Sequence, residues 1–424
     1  MKNYFTVLIF IVVVACDSTG QSPSASSTAE QPLAQTTPNL AGLWRGVLAS
    51  PGGELPFGLQ LTKTSDHYQA KILNGPEQVD TSAVVLNGNQ IEIQFSWYDA
   101  RITATVGEHG ELMQGVWLKT APNNTVSLLP FSATRGYPYR FEPQDTVQMA
   151  AQLGGVWQVE FSDDDGVTVA VGEFKQSGHK LNGTFLTPTG DYRYLAGDVL
   201  GNRLRLSAFD GAHAFLFDAH LGNGQLQGNF WSRDSYHATW VAQRNEEAYK
   251  VLPDSWEMVN VTTEDRGIDF AFEDINGQLV QLSDERFKNK AVIVNIFGTW
   301  CPNCNDEAPV LAEFYRKYHE KGLEIVGLAF EYTDDVARDK RQLGTFKKRH
   351  GIEYPLLRAG QNDKAEAAEI LGFVDKIVAY PTSIFLNRNH QVVNIHSGFA
   401  GPGTGNHYLK LVHELEQQII ELIQ

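Results

Sequence analysis

An apolar run that leads into two closely spaced cysteines constrains the fold of this chain more than any other feature. Residues 291–297 are rich in β-branched side chains and predict a buried strand. Gly298 ends the run, and residues 299–309, Thr-Trp-Cys-Pro-Asn-Cys-Asn-Asp-Glu-Ala-Pro, predict the start of a helix. Cys301 and Cys304 are therefore expected on the first turn of a helix that follows a central strand.

That position favours an anionic sulfur at Cys301. The first N–H groups of a helix lack partners within the helix, and its dipole is positive at this end. In Cys-x-x-Cys sites of this kind the pKa of the leading cysteine falls from about 8.5 to about 7 or lower. Cys304 is then placed to attack a mixed disulfide formed on Cys301, and Pro302 suits the first turn because its missing N–H would have no partner.

Two other uses of the cysteine pair remain open. Zinc needs four ligands, and neither a second cysteine pair nor a regular histidine spacing follows in this region. A structural disulfide would close a very small loop and remove little entropy from the unfolded chain. No metal and no cofactor are expected.

Residues 262–424 resemble a thioredoxin-fold domain, and more narrowly the TlpA/ResA-like membrane-anchored thiol-disulfide oxidoreductases. The residues that carry the resemblance are Trp300, Cys301, Cys304, Glu307, Pro309 and the later Tyr380-Pro381-Thr382. Asn303 departs from the family, which often has proline directly before the second cysteine. The resemblance implies a cis-proline at Pro381, packed opposite the dithiol, with the backbone at Tyr380 pairing with an extended substrate chain.

The resemblance also implies how the pair works. Cys301 attacks a disulfide in a partner protein and Cys304 resolves the mixed disulfide. Trp300 shields one side of the sulfur. Glu307, one turn beyond Cys304, either takes up the Cys304 proton or only complements the charge of the first turn. Because a carboxylate disfavours a nearby thiolate, a reductase is expected rather than an oxidase.

Ordinary patterns outline the rest of this region. A hairpin is predicted over residues 268–282, a second parallel strand over 323–330 and a closing antiparallel pair over 384–387 and 392–396. Helices are predicted from the cysteines to about residue 319 and over 334–350, 365–371 and 408–423.

Composition limits the class of protein. With 424 residues and 42% hydrophobic content, two to four globular domains are expected. The chain carries 34 Lys and Arg against 50 Asp and Glu, a net charge of −16, which disfavours nucleic acid as a partner.

The third cysteine, Cys16, points to export. An apolar stretch over residues 4–15 follows Lys2 and is shaped like a secretion signal. Val-Val-Ala-Cys at its end resembles a bacterial lipobox, which implies a diacylated Cys16 at the mature N-terminus. An ordinary signal or an uncleaved anchor is the alternative. Residues 17–39 read as a flexible tether, so a lipid-anchored protein on the periplasmic side of the cell envelope is predicted.

Residues 40–136 and 152–245 are two copies of one pattern. Each opens with Leu-x-Gly-x-Trp or a close variant, and each has a Gly and a Trp near its end. Trp44 and Trp117 are 73 residues apart, and Trp157 and Trp231 are 74 apart. Alternating strands with Gly-rich turns predict about eight strands per copy.

The fold class is therefore multidomain, with two all-β lipocalin-like antiparallel meander or barrel repeats before an α/β thioredoxin-like domain; one fused sandwich is the alternative. The four tryptophans are expected to plug the barrel ends. Residues 163–166, Asp-Asp-Asp-Gly, suggest a calcium loop, but the required glutamate at the twelfth position is missing, which favours an acidic turn.

The expected partners follow from the family resemblance. They are disulfide-bearing exported proteins such as apocytochrome c, and a membrane electron donor of the CcdA/DsbD type. A peroxiredoxin needs Thr-x-x-Cys, whereas Thr299 is only two residues before Cys301. A copper-delivery protein of the Sco type needs three residues between its cysteines. A non-enzymatic lipoprotein that binds a ligand in its barrels also remains open.

Overall fold

The first repeat forms an antiparallel sheet that closes on itself. The computed structural model describes residues 39–141 and 149–424. Pairing of β2 with β3 and of β1 with β9 completes a ring of eight strands, and the short β4 pairs with β3 outside the ring. The strands are β1 Gly42–Ser50, β2 Gly53–Lys63, β3 Tyr68–Asn74, β4 Glu77–Asp80, β5 Ala83–Asn87, β6 Gln90–Phe95, β7 Ala100–Val106, β8 Leu112–Ala121 and β9 Thr125–Arg135.

The second repeat has the same strand order and closes in the same way. Here β11 pairs with β12, β10 pairs with β18, and the two-residue β13 is the extra strand. The prediction of two lipocalin-like barrels is confirmed, and the fused sandwich is wrong. The strands are β10 Gly155–Asp163, β11 Gly166–Ser177, β12 Lys180–Thr187, β13 Gly190–Asp191, β14 Leu195–Leu200, β15 Arg203–Phe209, β16 Ala214–Gly222, β17 Gln225–Ser232 and β18 Tyr236–Arg244.

The opening tryptophans of the two barrels make matching contacts. The indole N–H of Trp44 donates to the Leu40 carbonyl oxygen at 3.0 Å, and that of Trp157 donates to the Leu153 carbonyl oxygen at 2.9 Å. An arginine from the last strand of each barrel lies over each ring, at 4.7 and 4.8 Å from the ring centre. Both indoles are buried, as expected for core residues.

The later tryptophans differ, and the prediction that all four plug the barrel ends is wrong for Trp231. Trp117 comes two positions after Gly115, whereas Trp231 comes three positions after Gly228. Because side chains alternate between the faces of a strand, this one-residue difference moves Trp231 to the outer face of its barrel. Phe230 takes the inner position and is 2% exposed. Trp231 packs instead on the first barrel, where a methyl group added to Gly52 would come within 2.3 Å of the indole.

The thioredoxin-like region is a mixed sheet of seven strands in the order β20-β19-β23-β22-β21-β24-β25. The central strand β21 pairs in parallel with β22 and antiparallel with β24. The strands are β19 Ala271–Asp274, β20 Leu279–Gln281, β21 Ala291–Phe297, β22 Leu323–Glu331, β23 Leu356–Gln361, β24 Thr382–Leu386 and β25 Val392–Ser397. Strand β23, parallel to β22, is absent from the sequence prediction.

Four helices complete this region: α1 Pro302–Tyr318, α2 Val336–His350, α3 Lys364–Leu371 and α4 Asn406–Ile423. All seven residues of β21 are buried, so helices cover both faces of the sheet at its centre. Within the described ranges, no helix is both long and apolar enough to cross a membrane. The predicted signal peptide, the lipid site at Cys16 and nearly all of the tether at 17–39 lie outside the described residues.

Both barrels contact the thioredoxin-like region. From the first barrel, the Asn123 N–H donates to the Tyr332 carbonyl oxygen at 3.1 Å, and Asp99 pairs with Arg338 at 3.1 Å. From the second barrel, Arg193 pairs with a residue of α1, as described below. The two barrels therefore stand against the end of the sheet from which α1 begins.

Candidate active site

Cys301 caps the helix that carries the cysteine pair. It is the N-cap of α1 with extended backbone angles, and Pro302 is the first helical residue. The Cys304 backbone N–H donates to the Cys301 sulfur at 3.3 Å, and the Cys301 thiol donates to the Tyr380 carbonyl oxygen, also at 3.3 Å. An N–H aimed at the sulfur stabilises its anionic form, as at other N-caps.

Cys304 lies deeper and holds its proton. It is 2% exposed, and burial raises the pKa of its thiol well above the usual value. The hydrogen bond and the charge of Cys301 act in the same direction, and the charge of Glu307 adds a smaller rise. The pair is therefore asymmetric, because one sulfur receives a hydrogen bond from the helix while the other stays protonated.

Glu307 is a buried carboxyl on the same helix, beyond its first turn. It is 1% exposed, and burial raises the pKa of its side chain to about 7, although hydrogen bonds from Asn295 and Ser383 lower it. Asn295 Nδ2 donates to one carboxylate oxygen at 2.7 Å, and Ser383 Oγ donates to the other at 3.0 Å. Such a carboxyl can exchange a proton near neutral pH, which a charge exposed on the first turn would not do.

Trp300 and Tyr380 form an aromatic wall beside Cys301. The Trp300 indole N–H donates to the Phe330 carbonyl oxygen at 2.8 Å, its ring stacks on Tyr332 at 4.4 Å, and it meets the Tyr380 ring edge-on at 5.4 Å. The Tyr380–Pro381 peptide bond is cis. The six residues predicted for the site in this region, Trp300, Cys301, Cys304, Glu307, Tyr380 and Pro381, thus come together around the start of α1.

Sequence reasoning missed Asn295, Tyr332 and Ser383. Asn295 had a usable signal, because it is the one polar residue in the apolar run over 291–297. A buried amide in a central strand needs hydrogen-bond partners, and here it binds both Glu307 and Ser383. Tyr332 directly follows β22, and Ser383 lies at the start of β24. Strand pairing brings both residues to the site, so no local pattern points to them.

Thr299 turns away from the sulfur pair. Its backbone N–H and its hydroxyl donate to the two carboxylate oxygens of the buried Glu331, at 2.9 and 2.8 Å. In the two described ranges, no cluster of three or more His, Cys, Asp or Glu side chains has an arrangement that could hold a metal ion.

The second barrel covers the turn that carries the cysteines. A methyl group added to Gly190 would come within 1.7 Å of the Asn303 side-chain nitrogen. Arg193 pairs with Asp306 at 2.7 Å, next to Glu307, and the Gly401 N–H donates to Asp191 at 2.5 Å. Cys301 is accordingly 5% exposed.

Comparison with known proteins shows which proteins this region resembles. Residues 263–395 match the sequence pattern of the AhpC/TSA family. ResA, a thiol-disulfide oxidoreductase of Bacillus subtilis (strain 168), is 28% identical over 143 residues, which are 34% of this chain and 72% of ResA. The Bacillus anthracis protein of the same name is 32% identical over 124 residues, 29% of this chain and 63% of that protein.

Solved structures of similar proteins cover a comparable share of the chain. A thiol:disulfide interchange protein of the thioredoxin family from Chlorobium tepidum is 21% identical, covers 38% of this chain and 99% of its own, and has a TM-score of 0.30. A DsbF homologue from Corynebacterium diphtheriae is 22% identical, covers 38% and 93%, and has a TM-score of 0.29.

The paired thiols at the start of α1 and the relatives together define the class, a thiol-disulfide oxidoreductase. The C-terminal region is an AhpC/TSA-type thioredoxin-like domain with thiol-disulfide oxidoreductases of the ResA type among its homologues. The matches to these relatives cover about a third of this chain.

Proposed function

We propose that this protein is a membrane-anchored, extracytoplasmic thiol-disulfide oxidoreductase that reduces disulfides in exported proteins. One observation carries the proposal: the Cys304 N–H donates to the Cys301 sulfur at the N-cap of α1, while the Cys304 thiol itself is buried and protonated. A dithiol arranged in this way has one nucleophile and one resolving thiol in reserve.

The reaction runs in two exchanges. The Cys301 thiolate attacks one sulfur of the client disulfide, and the client's other sulfur leaves as a thiolate. Cys304 then loses its proton to Glu307, directly or through water, and attacks the Cys301 sulfur. The client leaves fully reduced, and the two cysteines are left as a disulfide.

Reduction is favoured over oxidation by the surroundings of the pair. Burial and the Glu307 carboxylate both raise the pKa of Cys304, so they disfavour its thiolate. An oxidase gains its driving force from stabilised thiolates in the reduced form, and here the disfavoured Cys304 thiolate opposes the stabilisation that one N–H gives to Cys301. We expect a reduction potential nearer to the roughly −270 mV of thioredoxin than to the about −120 mV of a strong periplasmic oxidant.

The cellular setting is also part of the proposal. The lipid anchor rests on the sequence around Cys16, and the clients, for example apocytochrome c, rest on the family resemblance. A chain outside the cytosol needs a source of electrons, so a membrane thiol donor of the CcdA/DsbD type would return the pair to the dithiol.

Insulin reduction by dithiothreitol, followed by turbidity, tests the activity. Wild-type protein should accelerate it, Cys301→Ser should not, and Cys304→Ala should accumulate a mixed disulfide with its client that mass spectrometry can identify. Glu313→Gln, at an exposed position of the same helix, is the matched control and should behave as wild type. Equal rates for wild type and Cys301→Ser would refute the proposed chemistry.

A further inference from the structure

A cavity lies where both barrels meet the start of α1. Its volume is about 270 Å³, and it is bounded by Trp300 and Pro302, the two chain neighbours of Cys301. Aromatic rings form most of the remaining wall: Tyr192, Phe215, Phe230 and Tyr236 from the second barrel, and Tyr332 from the end of β22. Tyr236 is 38% exposed and forms the solvent-facing side. A cavity of this size fits a small molecule and excludes a folded partner.

Two basic side chains face this cavity, Lys119 from the first barrel and Arg233 from the second. Burial lowers the pKa of Lys119 to about 7, so an anion bound beside it would favour its charged form. Across residues 39–141 and 149–424, no carboxylate forms an ion pair with either side chain; Lys119 is buried and Arg233 is partly buried. Lys119 is 3% exposed and donates to the Tyr98 carbonyl oxygen at 3.0 Å. The acidic groups whose charge acts on Lys119 already have partners, Asp99 in Arg338 at 3.1 Å and Asp210 in His213 at 3.0 Å.

Tyr332 links the cations to the reactive sulfur. Burial raises the pKa of its phenol to about 12, the charge of Arg233 and a hydrogen bond from it lower that pKa, and the charge of Cys301 raises it. Lys119 Nζ lies 5.5 Å from the centre of the Tyr332 ring, and Trp300 stacks on that ring at 4.4 Å. A ligand with its anionic group at Arg233 and Lys119 would therefore extend along Tyr332 towards Trp300 and Pro302, the chain neighbours of Cys301.

We propose that this cavity binds small disulfides that carry a carboxylate, and that these are substrates of the Cys301–Cys304 pair. The inference rests on the dithiol chemistry proposed above and adds a substrate class to it. The aromatic wall provides contact area for the disulfide and methylene groups of such a molecule. The two basic side chains provide charge-assisted hydrogen bonds for its carboxylate.

The reaction balances in electrons and protons. Cys301 attacks one sulfur of R–S–S–R, and one R–S⁻ leaves and takes up a proton. Cys304, after giving its proton to Glu307, attacks Cys301 and releases the second R–S⁻. Two electrons pass from the protein dithiol to the small disulfide, giving two small thiols and the Cys301–Cys304 disulfide. A dithiol donor must then reduce the protein again.

A comparison of two small disulfides of opposite charge tests the inference. Pre-reduced full-length protein is mixed with 3,3′-dithiodipropionate, a dianion, or with cystamine, a dication, and the rate of thiol release is measured for each. The rate with the dianion is divided by the rate with the dication. Dividing this ratio by the same ratio for dithiothreitol removes the difference in reactivity between the two disulfides. We expect wild type to favour the dianion by about tenfold or more, the size of one charge-assisted contact.

Variants of the cations should change that preference. Arg233→Gln and Lys119→Met should each lower the preference for the dianion about tenfold, and Arg233→Lys should retain most of it. Arg101→Gln, at an exposed arginine of the first barrel, is the control and should leave the preference unchanged. Circular dichroism and thermal unfolding of these variants, measured in parallel, show whether they are folded.

The outcomes separate this inference from the proposed function. No preference in wild type, or a preference that survives Arg233→Gln, would overturn the cavity as the site while insulin reduction still supports the oxidoreductase. If no disulfide oxidises the pair, the chemistry fails, and calorimetry of 3,3′-dithiodipropionate with Cys301→Ser decides the cavity separately. Binding that Arg233→Gln abolishes supports the site, and absence of binding overturns it.

Discussion

Arg193 of the second barrel lies 2.7 Å from Asp306, the neighbour of Glu307 on the active-site helix. The same guanidinium reaches Glu77 of the first barrel at 2.6 Å and Asp210 of its own barrel at 3.1 Å. The arginine and its three carboxylate partners are all mostly buried, and 12% of the Arg193 side chain is exposed. One cation thus joins the three folded parts of the chain at a point directly behind the dithiol.

Removing this cation should destabilise the protein strongly. Arg193→Met leaves three carboxylates in a buried cluster without their shared partner, and we expect a loss of about 3 to 5 kcal/mol in the free energy of unfolding. Urea denaturation at pH 7.5 measures it. Arg101→Met breaks an exposed pair with Glu92 and should cost less than about 1 kcal/mol. Equal losses in the two variants would contradict the role given to Arg193.

Glu307→Gln should make stability less dependent on pH. The pKa of Glu307 rises from 4.5 to about 7 in the folded protein, so the folded state binds this proton more tightly than the unfolded state. Its contribution is full below pH 4.5 and is lost as the pH rises from 4.5 to 7. Glutamine has no proton to lose, so the variant should be more stable than wild type at pH 8, by an amount on the order of 3 kcal/mol.

Urea denaturation of the reduced protein at pH 8 and pH 4.5 measures this difference, which should nearly vanish at the lower pH. Glu313→Gln, on the exposed side of α1, controls for the change in helix propensity. Wild type and Glu307→Gln with the same stability at pH 8 would show that Glu307 has no buried charge to lose.

Gly52→Ala should weaken the contact between the barrels. The added methyl group would lie 2.3 Å from the Trp231 indole, closer than any real contact, and overpacking of this kind costs about 1 to 3 kcal/mol. Gly222→Ala adds a methyl group with nothing within 4 Å and is the matched control. Thermal unfolding of both variants measures the difference. The double variant Gly52→Ala/Trp231→Leu should recover part of the loss, and no recovery would place the clash elsewhere.

His396 should contribute to the loss of stability in acid. Burial lowers the pKa of its imidazole from 6.5 to about 4, so the folded state disfavours the proton. Stability from this group is full above pH 6.5 and falls as the pH drops towards 4. His396→Phe keeps an aromatic ring beside Trp256, whose centre lies 4.7 Å away, and should lower the slope of unfolding free energy against pH by about 1.4 kcal/mol per unit between pH 6 and 4.5. An unchanged slope would assign the acid sensitivity to other groups.

Local sequence predicted the parts of the fold that local physics decides. The strand over 291–297 and the helix after it follow from an apolar run, a glycine and a proline at the first helical position. Strand β23 was missed because Leu-Leu-Arg-Ala-Gly-Gln has no alternating pattern and contains a glycine. It is a strand because β22 and β19 both pair with it, and such pairing is tertiary.

The candidate site divides in the same way. The cysteines and Glu307 lie on one helix, and a single short motif identifies all three. Asp306 sits beside them in sequence, yet nothing local relates it to Arg193, which is 113 residues away. The contacts that cover the site depend on how two barrels dock on a third domain, and hydrophobic periodicity carries no information on docking.

The placement of Trp231 has a consequence for how such a molecule could diverge from an ancestor with two equal halves. Duplicated modules begin with identical surfaces, and identical surfaces do not specify one relative orientation. In the second module a phenylalanine fills the interior where the first has a tryptophan, and the next position carries the large side chain on the exterior, facing a glycine of the sister module. Exchanging which of two neighbouring positions holds the indole is enough to turn a repeated unit into an asymmetric pair.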